Sequence, residues 1–131
     1  MFKVLIVEDE PPIMRAVKNA VENADDDFSV ERCCINGKEA ADILEKEDFD
    51  VVITDIKMPL MTGIELAGWI YKNKPETMVI LLSGYQDFEY ARKALEYKVF
   101  DYILKPVSKD KVKNLTERIK TELNKTAPYA P

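Results

Sequence analysis

The sequence contains no histidine and only two cysteines in 131 residues. The chain therefore has no imidazole of its own to act as a general base, a metal ligand or a phosphate carrier. Cys33 and Cys34 are adjacent, which is poor geometry for a mutual disulfide, so the pair indicates a reducing, cytoplasmic location. We expect the two thiols to lie on opposite faces of one strand.

Excess positive charge and long apolar segments are also lacking. The net charge of −5 argues against nucleic acid or an anionic membrane as a direct partner. The apolar runs have the length of strands, so none is expected to cross a bilayer. The other proportions, 47% hydrophobic and 33% charged residues, are those of an ordinary globular protein, and the length fits one domain with a full core.

Short apolar runs alternate with amphipathic stretches along the chain. The clearest run is Val51–Asp55, where β-branched residues lead into an aspartate and Pro59 follows shortly after. Such a run is typical of a strand buried on both faces of a parallel sheet. Four more strands are predicted, at Phe2–Val7, Phe28–Cys34, Met78–Leu82 and Phe100–Leu104.

Residues that begin helices stand between these strands. Proline is accepted in the first turn, where its missing N–H costs nothing, and Ser, Thr or Asn can cap the first turn with a side-chain oxygen. A glutamate three residues after the cap completes a capping box. The helix signals are Pro11 and Pro12 for the first helix, Asn36 and Glu39 for the second, Thr62 and Glu65 for the third, the periodic stretch Phe88–Leu95 for the fourth, and Ser108 for the fifth.

Five strands alternating with five helices predict a doubly wound α/β fold around a five-stranded parallel sheet. The strand order 2-1-3-4-5 is taken from the flavodoxin-like fold class, in which it is the common solution at this size. We assign residues 3–124 to this domain and residues 125–131 to a flexible tail or the start of a linker to a further domain.

Residues able to bind phosphate or a divalent cation follow four of the five predicted strands. Glu8 and Asp9 follow the first, Asp55 ends the third, Ser83 follows the fourth and Lys105 follows the fifth. Each residue alone has an ordinary explanation, as a helix cap, a turn residue or a solvated lysine. Because the carboxyl ends of parallel strands share one edge of the sheet, four such coincidences indicate one site.

The residue types at this edge suit phosphoryl transfer. Neighbouring carboxylates repel one another and need a cation, and oxygen ligands without histidine or cysteine favour Mg²⁺. Asp55 could be a metal ligand, a helix cap or a nucleophile; as an ionised carboxylate it needs no general base to form an acyl phosphate. Mg²⁺ and Lys105 would supply positive charge, and the Ser83 hydroxyl would donate a hydrogen bond to a phosphoryl oxygen.

Four segments resemble the receiver domain of two-component response regulators. Within them, Glu8 stands where aspartate is commoner and Ser83 where threonine is also common, and the stretch SGYQDFEYA most resembles receivers joined to AraC-type DNA-binding output domains. The segments are VLIVEDEPPI at Val4–Ile13, DIKMPLMTGIEL at Asp55–Leu66, LLSGYQDFEYARKAL at Leu81–Leu95 and DYILKPV at Asp101–Val107.

The resemblance implies a phosphorylation site. Asp55 would accept a phosphoryl group from a sensor histidine kinase, and Lys105 would contact the phosphate. Mg²⁺ would be held by Glu8, Asp9, Asp55 and the backbone carbonyl of Lys57. The chain would assist its own phosphorylation and dephosphorylation, as a signal carrier rather than an enzyme in the ordinary sense.

The resemblance also implies how the signal leaves the site. Ser83 matches the family's switch hydroxyl and Tyr102 its switch aromatic, and the Lys105–Pro106 peptide is expected to be cis. The face made by the fourth helix, fifth strand and fifth helix would then change most on phosphorylation and control transcription through an output domain. A homodimer could use this face, or its aromatic residues could simply be core.

Two other classes of function are open on the sequence. A phosphatase resembling the haloacid dehalogenases also has an aspartate nucleophile after a strand, but that family needs a second aspartate two residues later, where this chain has Lys57, and usually a cap domain. A receiver that acts as a scaffold without phosphorylation would usually lack an acidic or lysine position, and none is lost here.

Overall fold

A computed structural model describes residues 1–84 and 92–126 of the chain. Its centre is a parallel five-stranded sheet in the order β2-β1-β3-β4-β5. The predicted strands and their order are confirmed, with a difference of one residue at the end of β4 and at the start of β5. The strands are β1 Phe2–Val7, β2 Phe28–Cys34, β3 Val51–Asp55, β4 Met78–Ser83 and β5 Asp101–Leu104.

Helices cover both faces of the sheet. The first half of the predicted fourth helix, from Phe88, lies outside the described residues. None of the helices described has the length and apolar character that a bilayer crossing requires. The helices are α1 Pro11–Ala24, α2 Gly37–Lys46, α3 Gly63–Asn73, α4 with residues 92–94 followed by the 3₁₀ turn Leu95–Tyr97, and α5 Lys109–Thr126.

The predicted caps fix the helix starts at the carboxyl edge of the sheet. Asn36 Oδ1 accepts a hydrogen bond of 2.8 Å from the Glu39 N–H at the start of α2. Thr62 and Glu65 form a reciprocal capping box at the start of α3. Ser108 Oγ accepts from the Lys111 N–H at 3.2 Å. Such caps satisfy N–H groups that the first turn leaves unpaired.

The sheet separates two apolar layers, one under α2, α3 and α4 and the other under α1 and α5. β3 contributes to both layers and is buried along its whole length. Cys34 belongs to the α2–α3 layer, whereas Cys33 packs against the α1–α5 layer. Both cysteines are free thiols on opposite faces of β2, as predicted.

Gly63 lies where α3 passes closest to the end of β3. Its N–H donates to the Ile56 carbonyl at 2.8 Å. A Cβ atom at this position would lie 2.0 Å from the Asp55 carbonyl oxygen, which is far inside van der Waals contact. A side chain at Gly63 would therefore displace the backbone that carries Asp55.

Gly63→Ala should destabilise the protein, although alanine is the better helix former by about 1 kcal/mol. We expect a loss of about 1–3 kcal/mol, as for other overpacked sites, measured as a lower urea midpoint. Gly68→Ala in the same helix is the matched control and should lose less stability, because the nearest atoms to its Cβ would be those of the Tyr97 ring, at 3.1 Å or more, rather than backbone. A Gly63→Ala midpoint at or above that of the wild type would contradict this account of the contact.

Candidate functional site

The carboxyl ends of β1, β3 and β5 bring two carboxylates to one lysine. In the β1–β3 ladder Val7 lies opposite Thr54, so the next residues, Glu8 and Asp55, leave the sheet at the same level. Lys105 follows β5, and its Nζ lies 3.2 Å from Asp55 Oδ1 and 3.4 Å from Glu8 Oε1. Three of the residues predicted from strand ends therefore meet at one point.

Ser83 lies at the same edge, at the end of the strand between β3 and β5. Asp55 pairs with Leu82 in the β3–β4 ladder, so Ser83 stands one residue further out. The Lys105 N–H donates to the Ser83 carbonyl at 2.8 Å. The Ser83 side chain is buried, and its hydroxyl donates to the Gly84 carbonyl at 3.0 Å.

The two carboxylates are almost fully buried. Asp55 Oδ1 accepts a hydrogen bond of 2.8 Å from the Ile56 N–H. Glu8 is 1% exposed, and its Oε2 accepts from the Glu10 N–H at 3.1 Å. The other oxygen, Glu8 Oε1, makes no hydrogen bond within the described residues and has only the ion pair with Lys105.

The pKa values of Glu8 and Lys105 are both raised in this cluster, for different reasons. Burial is the main cause that raises the pKa of Glu8 from 4.5 to about 7; the Asp55 charge adds to the rise, while the Glu10 N–H and Lys105 oppose it. Burial lowers the pKa of Lys105, but the charges of Asp55 and Glu8 outweigh it and the pKa is raised. Lys105 is thus held as an ammonium, and Glu8 needs further positive charge to stay ionised near neutral pH.

An acidic group at the end of β1 fits a divalent cation. Ligand oxygens of Glu8, Asp9 and Glu10 lie within 4.8 Å of one another, and the last two residues are exposed. The buried Glu8 Oε1, which lacks a hydrogen bond among the described residues, is the kind of atom that a cation satisfies. Carboxylate oxygens together with open access for water suit Mg²⁺.

This acidic group differs in part from the predicted metal ligands. Glu8 and Asp9 were predicted, whereas Glu10 was not, although the acidic run after β1 was a signal for it. Asp55 stands outside this group within the described part of the chain, and its Oδ1 contacts Lys105 Nζ and the Ile56 N–H. Ligation by Asp55 and by the Lys57 carbonyl stays a prediction.

Tyr102 is near this site in sequence but not buried in it. The residue is 46% exposed, and it borders a cavity of about 270 Å³ that Leu95 and Phe100 also line. The side chain thus belongs to the outer face of β5. The Lys105–Pro106 peptide is cis, as the resemblance implied.

The structure defines a class of protein: a doubly wound α/β domain in which a buried aspartate, a lysine and an acidic group meet at the carboxyl ends of the strands. The model of the response regulator receiver domain family matches residues 4–117. The chain belongs to this family, whose members are phosphorylation-dependent signalling domains of two-component systems.

Relatives and solved structures agree with this family. The chain is 34% identical over 125 residues to the uncharacterized transcriptional regulatory protein YesN of Bacillus subtilis, covering 95% of this chain and 34% of YesN. It is 37% identical over 107 residues to the transcriptional regulatory protein HptR of Staphylococcus aureus, covering 82% of this chain and 42% of HptR. The receiver domain of AraT, a response regulator from Geobacillus stearothermophilus, superposes with a TM-score of 0.90 at 28% identity, covering 97% of this chain and 98% of that domain. The chain therefore spans less than half the length of these curated relatives.

Glu8 should make the stability of the protein fall as pH rises when divalent cations are chelated. The folded-state pKa, about 7, lies above the ordinary 4.5, so the folded state binds the proton more tightly than the unfolded state does. The free energy of unfolding then falls as the pH rises between these two values, by on the order of 3 kcal/mol in total, and it stays low at higher pH. Glu8→Gln, which cannot ionise, should therefore have the higher urea midpoint at about pH 8 and nearly the wild-type midpoint at about pH 4, below the ordinary pKa.

Glu76→Gln is the matched control, because Glu76 is exposed just before β4, at the opposite end of the sheet. This variant should follow the wild type at both pH values. A Glu8→Gln protein that is less stable than the wild type at the higher pH would overturn this account of the Glu8 carboxylate.

Proposed function

We propose that Asp55 is the phosphoacceptor of this receiver domain and that Lys105, Ser83 and Tyr102 carry the response. The observation that supports this best is the buried Asp55 carboxylate with the Lys105 ammonium 3.2 Å away. A buried, ionised carboxylate is a nucleophile, and the lysine beside it is placed to neutralise an added phosphoryl group.

In the proposed reaction an Asp55 carboxylate oxygen attacks the phosphorus of a phosphohistidine. The new O–P bond forms as the P–N bond breaks, and the imidazole nitrogen leaves with its electron pair. Because these 131 residues contain no histidine, the phosphohistidine lies outside them, and a sensor histidine kinase is the donor that the family implies. Attack by water on the acyl phosphate would return Asp55 to its starting state.

The residues around Asp55 have separate tasks in this proposal. Lys105 transfers its ion pair from the Asp55 carboxylate to a phosphoryl oxygen. The Ser83 hydroxyl gives up its bond to the Gly84 carbonyl and donates to another phosphoryl oxygen. Mg²⁺, when bound by Glu8 and Asp9 with Asp55 and the Lys57 carbonyl as further predicted ligands, would neutralise phosphoryl charge.

The signal is proposed to leave through α4, β5 and α5. Leu95 and Tyr102 are exposed on this face, at 73% and 46%. Arg118 of α5 forms an ion pair with Asp101 of β5, so this face carries side chains of both charge signs. A two-fold homodimer brings the same patch of both subunits together, and a patch with both signs can be complementary to itself. A homodimer through this face is part of the proposal.

The wider context is proposed from the relatives. In this proposal, residues 3–124 are the receiver domain and residues 125–131 are a tail or the start of a linker to an output domain, which by resemblance is of the AraC type. Transcriptional control would be the task of that output domain, with no nucleic acid bound by the receiver itself. The free thiols of Cys33 and Cys34 suit the cytoplasm.

Asp55→Asn should abolish phosphorylation and leave the fold intact, because the amide keeps the shape of the side chain but is a poor nucleophile. Intact-mass spectrometry after incubation with Mg²⁺ and acetyl phosphate or phosphoramidate measures this directly. The wild type should gain one phosphoryl group, and omission of Mg²⁺ should prevent the gain. Asp50→Asn, at a carboxylate just before β3, is the matched control and should be labelled like the wild type.

Equal labelling of Asp55→Asn and the wild type would refute the assignment of the phosphoacceptor. A folded wild type that gains no phosphoryl group from either donor would favour the scaffold class, in which the site is not phosphorylated.

Lys105→Ala should still be phosphorylated but should fail to transmit the change. In the proposal, the Lys105 ammonium moves from the Asp55 carboxylate to a phosphoryl oxygen. Without this ammonium, phosphorylation would not change any contact that displaces β5. We expect phosphorylation to move the Tyr102 amide resonance in the wild type and in Lys109→Ala, but not in Lys105→Ala. Equal shifts in all three proteins would exclude Lys105 as the coupling residue.

A further inference from the structure

Glu10 is a third consecutive carboxylate, at the N-cap position of α1. An N-cap side chain ordinarily accepts a hydrogen bond from the N–H of the second or third helical residue. Here the first two helical residues are Pro11 and Pro12, which have no N–H, and the Glu10 side chain makes no capping hydrogen bond. Its carboxylate is therefore not engaged in capping the helix that it precedes.

The Glu10 backbone holds this residue against Glu8. The Glu10 N–H donates to Glu8 Oε2 at 3.1 Å, and ligand oxygens of Glu8, Asp9 and Glu10 come within 4.8 Å of one another. Carboxylates at such a separation repel one another unless a cation lies between them. The spacing is one that a single metal ion can bridge.

Glu8 Oε1 is an independent sign of a cation at this place. The atom belongs to a residue that is 1% exposed, and it has no hydrogen-bond partner among the described residues. Lys105 Nζ is 3.4 Å away and is shared with Asp55. A buried carboxylate oxygen without a hydrogen bond is costly, and a hard divalent cation would satisfy it.

We propose that Glu10 is an additional carboxylate of the divalent-cation site and sets how tightly this chain binds Mg²⁺. This inference rests on the proposed cation site of the receiver and extends it by one residue. Because Glu10 is exposed at the rim while Glu8 is buried beneath, the cation would be held between a fixed inner oxygen and an outer carboxylate that can adjust. Mg²⁺ keeps several waters, so Glu10 can contribute through its own oxygen or through one of these waters.

The test is the Mg²⁺ dissociation constant of the whole chain, measured by isothermal titration calorimetry in the absence of any phosphodonor. Glu10→Gln keeps the size of the side chain and removes its charge, and we expect it to weaken Mg²⁺ binding by about tenfold, as loss of a supporting group at a metal site typically does. Glu76→Gln removes the same charge at the opposite end of the sheet and should bind like the wild type. The rise in urea midpoint that Mg²⁺ causes should shrink in Glu10→Gln alone.

Each outcome separates this inference from the proposed function. If the wild type binds Mg²⁺ and Glu10→Gln binds as tightly as Glu76→Gln, Glu10 has no part in the site, while the roles of Glu8 and Asp9 stand. If both variants weaken binding equally, the effect is one of net charge, and the inference is wrong. If the wild type binds no Mg²⁺, the inference fails together with the proposed cation site, although phosphorylation of Asp55 would still be decided by its own mass measurement.

Discussion

The arrangement of one ammonium between two buried carboxylates is the constraint on which this site depends. Glu8 and Asp55 leave adjacent strands at the same level, and the low exposure of both side chains strengthens their repulsion. Lys105 can balance only one of the two carboxylate charges, and the pKa of Glu8 is raised, by burial first and by the charge of Asp55 as well. The proposed cation would compensate the charge that is left unbalanced, and the proposed phosphoryl group would then be accepted beside it.

The rest of the fold keeps this unfavourable cluster in place. β3 is buried on both faces and cannot shift without opening both apolar layers. Beyond its end, Gly63 allows α3 to press against the Asp55 backbone, and the Thr62–Glu65 capping box fixes where α3 starts. Packing of the core thus supplies the free energy that holds Asp55 buried beside Glu8, as expected when a functional site stores local destabilisation.

Periodicity and strand ends were enough to predict most of this structure. Parallel strands end at one edge, so Glu8, Asp55, Ser83 and Lys105 could be assigned to that edge from the sequence, whereas the strand order that places them close together was taken from the fold class. The sequence could not show that Lys105 pairs with both Asp55 and Glu8, because such pairing depends on side-chain directions within a few ångströms. For the same reason the approach of the Glu10 carboxylate to Glu8 and Asp9 was not predicted, and the outward position of Tyr102 had no sequence signal.

The proposed path from the site to the outer face depends on how β5 is held. This strand is one of the two edge strands of the sheet and has only four residues, so few ladder bonds oppose its movement. Its inner end is tied to the site, since the Lys105 N–H bonds the Ser83 carbonyl. Its outer face is tied to α5 through the Asp101–Arg118 ion pair. In the proposed mechanism, a change in what Lys105 contacts would act on this short edge strand, and α5 would receive it through the Asp101–Arg118 ion pair.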